Sequence, residues 1–105
     1  MELVAEALFH IEILEKHQTS GSYEDDLIAD AVNLRLAAAI ETISQTTPEF
    51  RESYFPGQWH EMKALRNVIS HGYLFIDNAV VKITIDRDLP HFKSQLLKAQ
   101  TDFTT

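Results

Sequence analysis

The chain has no cysteine among its 105 residues. Disulfides, thiolate nucleophiles and cysteine-ligated zinc or iron–sulfur centres are therefore excluded. A reducing compartment fits that composition. Glycine and proline are scarce, at three each. There is neither a Walker loop nor a G-x-G-x-x-G turn, so any nucleotide handling is expected to belong to a partner. No apolar run approaches the length needed to span a bilayer. The start, Met1-Glu2-Leu3-Val4-Ala5-Glu6, lacks a basic stretch and carries glutamates through its apolar part, unlike a signal peptide. A cytoplasmic protein is the expectation. Basic residues are also few: nine Lys and Arg against 16 Asp and Glu, a formal charge of −7. That is the wrong sign for coating nucleic acid by long-range attraction. A nucleic-acid role would need a local basic cleft or a partner.

What is present is the composition of a globular protein, 45% hydrophobic and 24% charged. One domain spanning 1–105 is expected at this length. Leu3, Ala7, Ile11 and Leu14 recur at helical spacing, widened by Val4 and Leu8, and predict a helix over about 2–18. Thr19-Ser20-Gly21 would end it, with Gly21 suited to a left-handed cap. Ser22-Tyr23-Glu24-Asp25 resembles a capping box that opens a helix from Tyr23 to about Thr46. That helix carries two apolar rows. One is Leu27, Ala31, Leu34, Ala38 and Glu41; the other is Ile28, Val32, Leu36, Ala39 and Ile43. Such a broad face suits the centre of a bundle, and Ala37-Ala38-Ala39 would let another helix approach closely.

Pro48 predicts a short helix to Tyr54, broken by Phe55-Pro56-Gly57. From Trp59, a row of Met62, Leu65 and Ile69 predicts another helix, with Gly72 as its stop. Residues 79–85 are rich in β-branched side chains and read locally as a strand. A strand there would have no partner, so a helix capped by Asp77 or Asn78 is favoured. Asp88-Leu89-Pro90 looks like a cap and first-turn proline for a last helix bearing Phe92, Leu96, Leu97 and Ala99. Residues 101–105 are expected to fray. The sum is an all-α, up-and-down bundle of five or six helices.

The chemistry concentrates in Leu65-Arg66-Asn67-Val68-Ile69-Ser70-His71-Gly72-Tyr73. Arginine offers a permanent cation and a planar fork of donors. Histidine can hold or release a proton near neutral pH. Such a pair suits metal-independent cleavage of RNA. The histidine moves a proton while the 2′-hydroxyl attacks phosphorus, and the arginine stabilises the added charge. Asn67 can orient the imidazole or bind a phosphate oxygen. Residues four apart on a helix differ by about 40° and residues five apart by about 140°. Asn67 and His71 thus share a face, while Arg66 and His71 do not. Three routes remain open: the helix ends or distorts at His71, Arg66 reaches round, or a second copy completes a shared cleft.

Arg66-(four residues)-His71-Gly72-Tyr73 resembles the R-x4-H-x-Y signature of HepT-like toxins, a branch of the HEPN ribonuclease superfamily. Trp59, Asn67, Asp88-Leu89-Pro90, Asp30-Ala31-Val32 and Glu41 extend the likeness over nearly the whole chain. Lys82 and Leu34 depart from it, standing where relatives often carry tryptophan and a basic residue; Arg35 is adjacent to the latter. The loop from Ser20 to Asp26 is shorter or altered. The resemblance implies a HEPN bundle forming a homodimer, with both motifs facing one cleft. It implies an endoribonuclease with Arg66 and His71 catalytic, transfer RNA as a substrate, and no metal or cofactor. It further implies an antitoxin partner, an MntA-type nucleotidyltransferase that moves AMP from ATP to Tyr73 and so silences the toxin. A rival reading is a non-catalytic partner or regulatory module of such an enzyme.

Other residues have plainer readings. Glu41 either supports His71 or Arg66, or is an interhelical or solvated carboxylate. His10 and His17 are expected at the surface, since no carboxylate–histidine cluster joins them. His60 and Lys63 form a solvated face or bind RNA phosphate. Trp59 is expected to anchor a core or a dimer, and His91 to be exposed.

Overall fold

The computed structural model describes residues 2–71 and 76–104. It contains α1 (Glu2–Ser20), α2 (Asp26–Ser44), α3 (Pro48–Tyr54), α4 (Trp59–His71) and α5 (Asn78–Asp102). The described residues include no strand. The bundle is built on α1 against α2, with α4 packed on α2, and with α1 and α3 packed on α5.

α1 buries Val4, Ala7, Ile11 and Leu14, the row that its spacing predicts. It runs two residues past the expected end. Gly21 is not left-handed; the only described positive-φ residue is Gly57, at 74°. A different demand bears on Gly21. A Cβ there would stand 3.0 Å from Ile28 Cγ1, a tight approach that the isoleucine side chain would have to relieve by shifting a few tenths of an ångström.

α2 starts later than Ser22 suggests. Ser22 Oγ accepts only from Glu24 N, while Asp25 is the N-cap and accepts from Leu27 N at 2.9 Å. Of the two apolar rows, only one enters the core. Val32, Leu36, Ala39 and Ile43 are fully buried, whereas Leu27 and Leu34 are 75% and 68% exposed. The broad face is thus half used within one chain.

Thr47 caps α3 by accepting from Phe50 N, with Pro48 in the first turn. α5 bears out one expectation and corrects another. The β-rich stretch is helical, because Asp77 caps it through Ala79 N and Val80 N. The helix then continues unbroken through Asp88-Leu89-Pro90, so the described residues form five helices and not six. Val81, Ile85, Leu89, Phe92, Leu96 and Ala99 form one continuous buried row across the proline. An interior proline costs ~3 kcal/mol, but each large side chain buried returns ~1.5–3 kcal/mol. The row therefore outweighs the break. Asp88 caps nothing; Arg87 holds its carboxylate through two hydrogen bonds of 3.0 and 2.9 Å. At the far end the helix holds to Asp102, with Phe103 as C-cap.

One polar network fastens α5 where it begins. Asn33 is only 3% exposed, on the core side of α2. Its Oδ1 accepts from the Tyr23 hydroxyl at 2.6 Å, and its Nδ2 donates to Asn78 Oδ1 at 3.0 Å. Burial, with a smaller contribution from the Asp30 charge, pushes the Tyr23 phenol above its ordinary pKa. A buried amide left without partners costs ~1–3 kcal/mol, so this network ties the start of α5 to α2.

Candidate active site

α4 is short and strongly two-sided. Met62, Leu65 and Ile69 are buried, and their packing against α2 turns Arg66, Asn67, Ser70 and His71 away from the core. The described part of the helix runs to His71. Gly72, expected as its stop, and Tyr73, expected as a modification site, lie outside the described residues.

The five-residue gap between Arg66 and His71 is bridged by a groove. A concavity of about 420 Å³ lies between α2 and α4 and has both residues in its lining. Ser70 lies between them on the same wall. Leu34, Ala37, Ala38 and Glu41 supply the opposite wall. The small side chains of Ala37 and Ala38 leave this space open, so the alanine run makes a groove there; only Ala39 is fully buried. Of the three possible routes, the described residues bear on one: Arg66 extends across to α2, into the groove that His71 also lines.

Arg66 is held on two sides. Its Nη1 donates to Glu41 Oε2. Its Nε and Nη2 both donate to Asn67 Oδ1, at 3.1 and 3.0 Å. Glu41 meets Arg66 across the α2–α4 interface, as a half-exposed interhelical ion pair. Asn67 likewise grips the arginine, not the imidazole. Such forked contacts fix the plane of a guanidinium, which is what bidentate phosphate recognition requires. His71 is exposed at the rim, where an imidazole can exchange protons with a bound group and with solvent. Chemically, the groove can hold an anion beside a positioned cation and a proton-transfer group.

The remaining residues settle differently. Arg35 does not substitute for the basic residue missing at Leu34. Its Nη1 meets His10 Nδ1 at 3.0 Å, towards α1 and away from the groove. His10 is half-buried by that contact, not free at the surface. Trp59 is half-buried against the core; the Arg51 guanidinium stands 5.4 Å from its ring centroid and Phe55 6.4 Å. His60, Lys63 and His91 are exposed. Among the described residues, no group of three or more His, Asp or Glu side chains could hold a metal ion. No described helix is long and apolar enough to cross a membrane. Ser70, in the groove wall, carries one signal in the sequence, its place one turn after Arg66. Buried Asn33 carries another, a carboxamide inside a row of aliphatics.

Comparison with known proteins bears on what such a groove does. A family model described as "Ribonuclease HepT-like" matches residues 4–99. A curated relative from Thermococcus cleftensis, named "Probable ribonuclease HepT", is 26% identical over 102 residues. That match covers 93% of this chain and 90% of the relative. No solved structure matches the chain.

Proposed function

Since this chain belongs to the ribonuclease HepT-like family, we propose that it is a metal-independent RNA endonuclease whose catalytic pair is Arg66 and His71. The observation that carries this reading is their common groove, despite the five-residue gap, with Arg66 already oriented by Asn67 and Glu41. The 2′-hydroxyl attacks the adjacent phosphorus, forming the 2′-O–P bond as the P–O5′ bond breaks. His71 moves a proton, from the attacking hydroxyl or to the leaving oxygen. Arg66 stabilises the charge that builds on the phosphoryl oxygens. The products are a 2′,3′-cyclic phosphate and a 5′-hydroxyl, with no redox change.

The working unit is a homodimer. The Leu27 and Leu34 side chains are exposed on the same α2 face as the groove wall. A second copy covering them would deepen the groove and add its own pair. In this reading the protein is a toxin, and transfer RNA is a substrate class. Its antitoxin is a nucleotidyltransferase that transfers AMP from ATP to Tyr73, releasing pyrophosphate. Bulk and negative charge next to His71 then exclude RNA.

The test is incubation of the purified chain with RNA in EDTA. Fragments ending in 2′,3′-cyclic phosphate are expected, and no cutting where the 2′-hydroxyl is replaced by hydrogen. Dependence on added Mg²⁺, or cutting of the deoxy substrate, would overturn the mechanism. Intact RNA in every condition, alongside a stable complex with the nucleotidyltransferase, would instead establish a regulatory module.

A further inference from the structure

We propose that the outward face of α4 is the track for the RNA backbone, and that Lys63 on it holds a phosphate other than the one attacked. The inference rests on the ribonuclease reading above and names how that site retains its substrate.

The chain carries a formal charge of −7. Its overall field repels RNA, so retention must come from local contacts. α4 supplies a surface of the required kind. At 100° per residue, Arg66, Ser70, Lys63, Asn67, His60 and His71 fall within an arc of about 140°. No carboxylate of α4 lies in that arc. The helix has one acidic residue, Glu61, which lies about 80° beyond its edge, where its charge acts on Arg87 of α5. Glu41 reaches the arc from α2, but it is occupied by Arg66.

Lys63 differs from most other cations of the chain. Lys16, Lys82, Arg87 and Lys93 each pair with a carboxylate. Lys63 has no such partner among the described residues, in a chain with 16 Asp and Glu. It is exposed, as are His60, Asn67 and His71. An unpaired ammonium is free to meet phosphate without first giving up a protein carboxylate. Along the axis, Lys63 stands eight residues from His71, about 12 Å at 1.5 Å per residue. A phosphate at Lys63 is therefore not the one at His71 but a neighbour further along the strand. Asn67, between them, offers an amide to the intervening backbone.

We take the Lys63 contact to hold ground state and transition state alike, as uniform binding does. It therefore lowers KM and leaves kcat alone. The experiment uses RNA oligomers that are 2′-O-methylated except at one nucleotide, lengthened on each side of that nucleotide in turn. In the wild-type chain, lengthening on one side is expected to lower KM several-fold with kcat steady. In Lys63→Gln that gain should disappear, while kcat on the long oligomer is kept. The salt dependence of binding should lessen by about one phosphate contact. Lys63→Glu should raise KM further. Lys63→Gln with the wild-type length advantage and salt slope would overturn the inference while leaving the ribonuclease reading intact. If the wild-type chain cuts none of these RNAs, the ribonuclease reading fails first and the inference falls with it.

Discussion

His71→Ala is expected to lower the rate of RNA cleavage ~10²–10⁴-fold, the usual worth of a positioned proton-transfer group. The melting temperature should stay near that of the wild-type chain, because His71 is exposed. Arg66→Ala should cost a similar factor. Its effect on stability should be modest: the ion pair with half-exposed Glu41 is worth ~0–1 kcal/mol, and the 20% exposed Arg66 side chain also loses packing. Arg66→Lys should rescue little, since an ammonium cannot keep the fork to Asn67 while meeting phosphate. The double variant should be scarcely slower than either single one, because the two residues act on one transition state. Rates are measured under single-turnover conditions with melting curves alongside. Either alanine variant cutting at the wild-type rate would remove that residue from the mechanism.

The largest effect on stability is expected at Phe92. Its side chain is fully buried, and its ring lies 5.0 Å from that of Phe55. Phe55 closes the α3–α4 turn, so this contact ties the short third helix to α5. Phe92→Ala should destabilise by ~3–5 kcal/mol, combining lost transfer energy with an unfilled cavity. Against a total of ~5–15 kcal/mol for domains of this kind, the midpoint of urea unfolding should fall sharply. A loss below ~1 kcal/mol would mean that the core reorganises around this position and that the ring contact is dispensable.

Which parts of this molecule were legible in the sequence follows from how local their causes are. The buried row of α1 and the Thr47–Pro48 start of α3 depend on neighbours within a turn, and both were readable. Residues 79–85 conflicted with their own β-propensity. They were resolved by the lack of any pairing strand and by Asp77, whose carboxylate caps the helix. Asp88-Leu89-Pro90 misled because it carries the local signs of a start. What overrides those signs is a row of buried side chains from Val81 to Ala99, visible only when the segment is taken as one helix. The same limit applies to α2. Two apolar rows are plain in the sequence, but which one faces the core depends on where α1 and α4 lie. At the site, the residue types were legible and the grouping was not. Helical angles set Arg66 apart from His71; the groove between α2 and α4, and the length of an arginine side chain, restore the pair.

The contact between Arg66 and Glu41 has a consequence for which anions can enter. A cation that already faces a carboxylate is not vacant: any newcomer must trade places with a tethered competitor at high effective concentration. A lone inorganic phosphate offers one exchange and little else. A polynucleotide brings further phosphates that lodge elsewhere on the helix as the exchange occurs, so its entry is cooperative. Millimolar phosphate should accordingly leave the cleavage rate nearly unchanged in the wild-type chain and inhibit Glu41→Gln, whose neutral amide competes less. If both chains respond alike, the carboxylate is no gatekeeper. In this view the acidity of the chain, which first argued against a role on RNA, becomes a filter that keeps abundant small anions out.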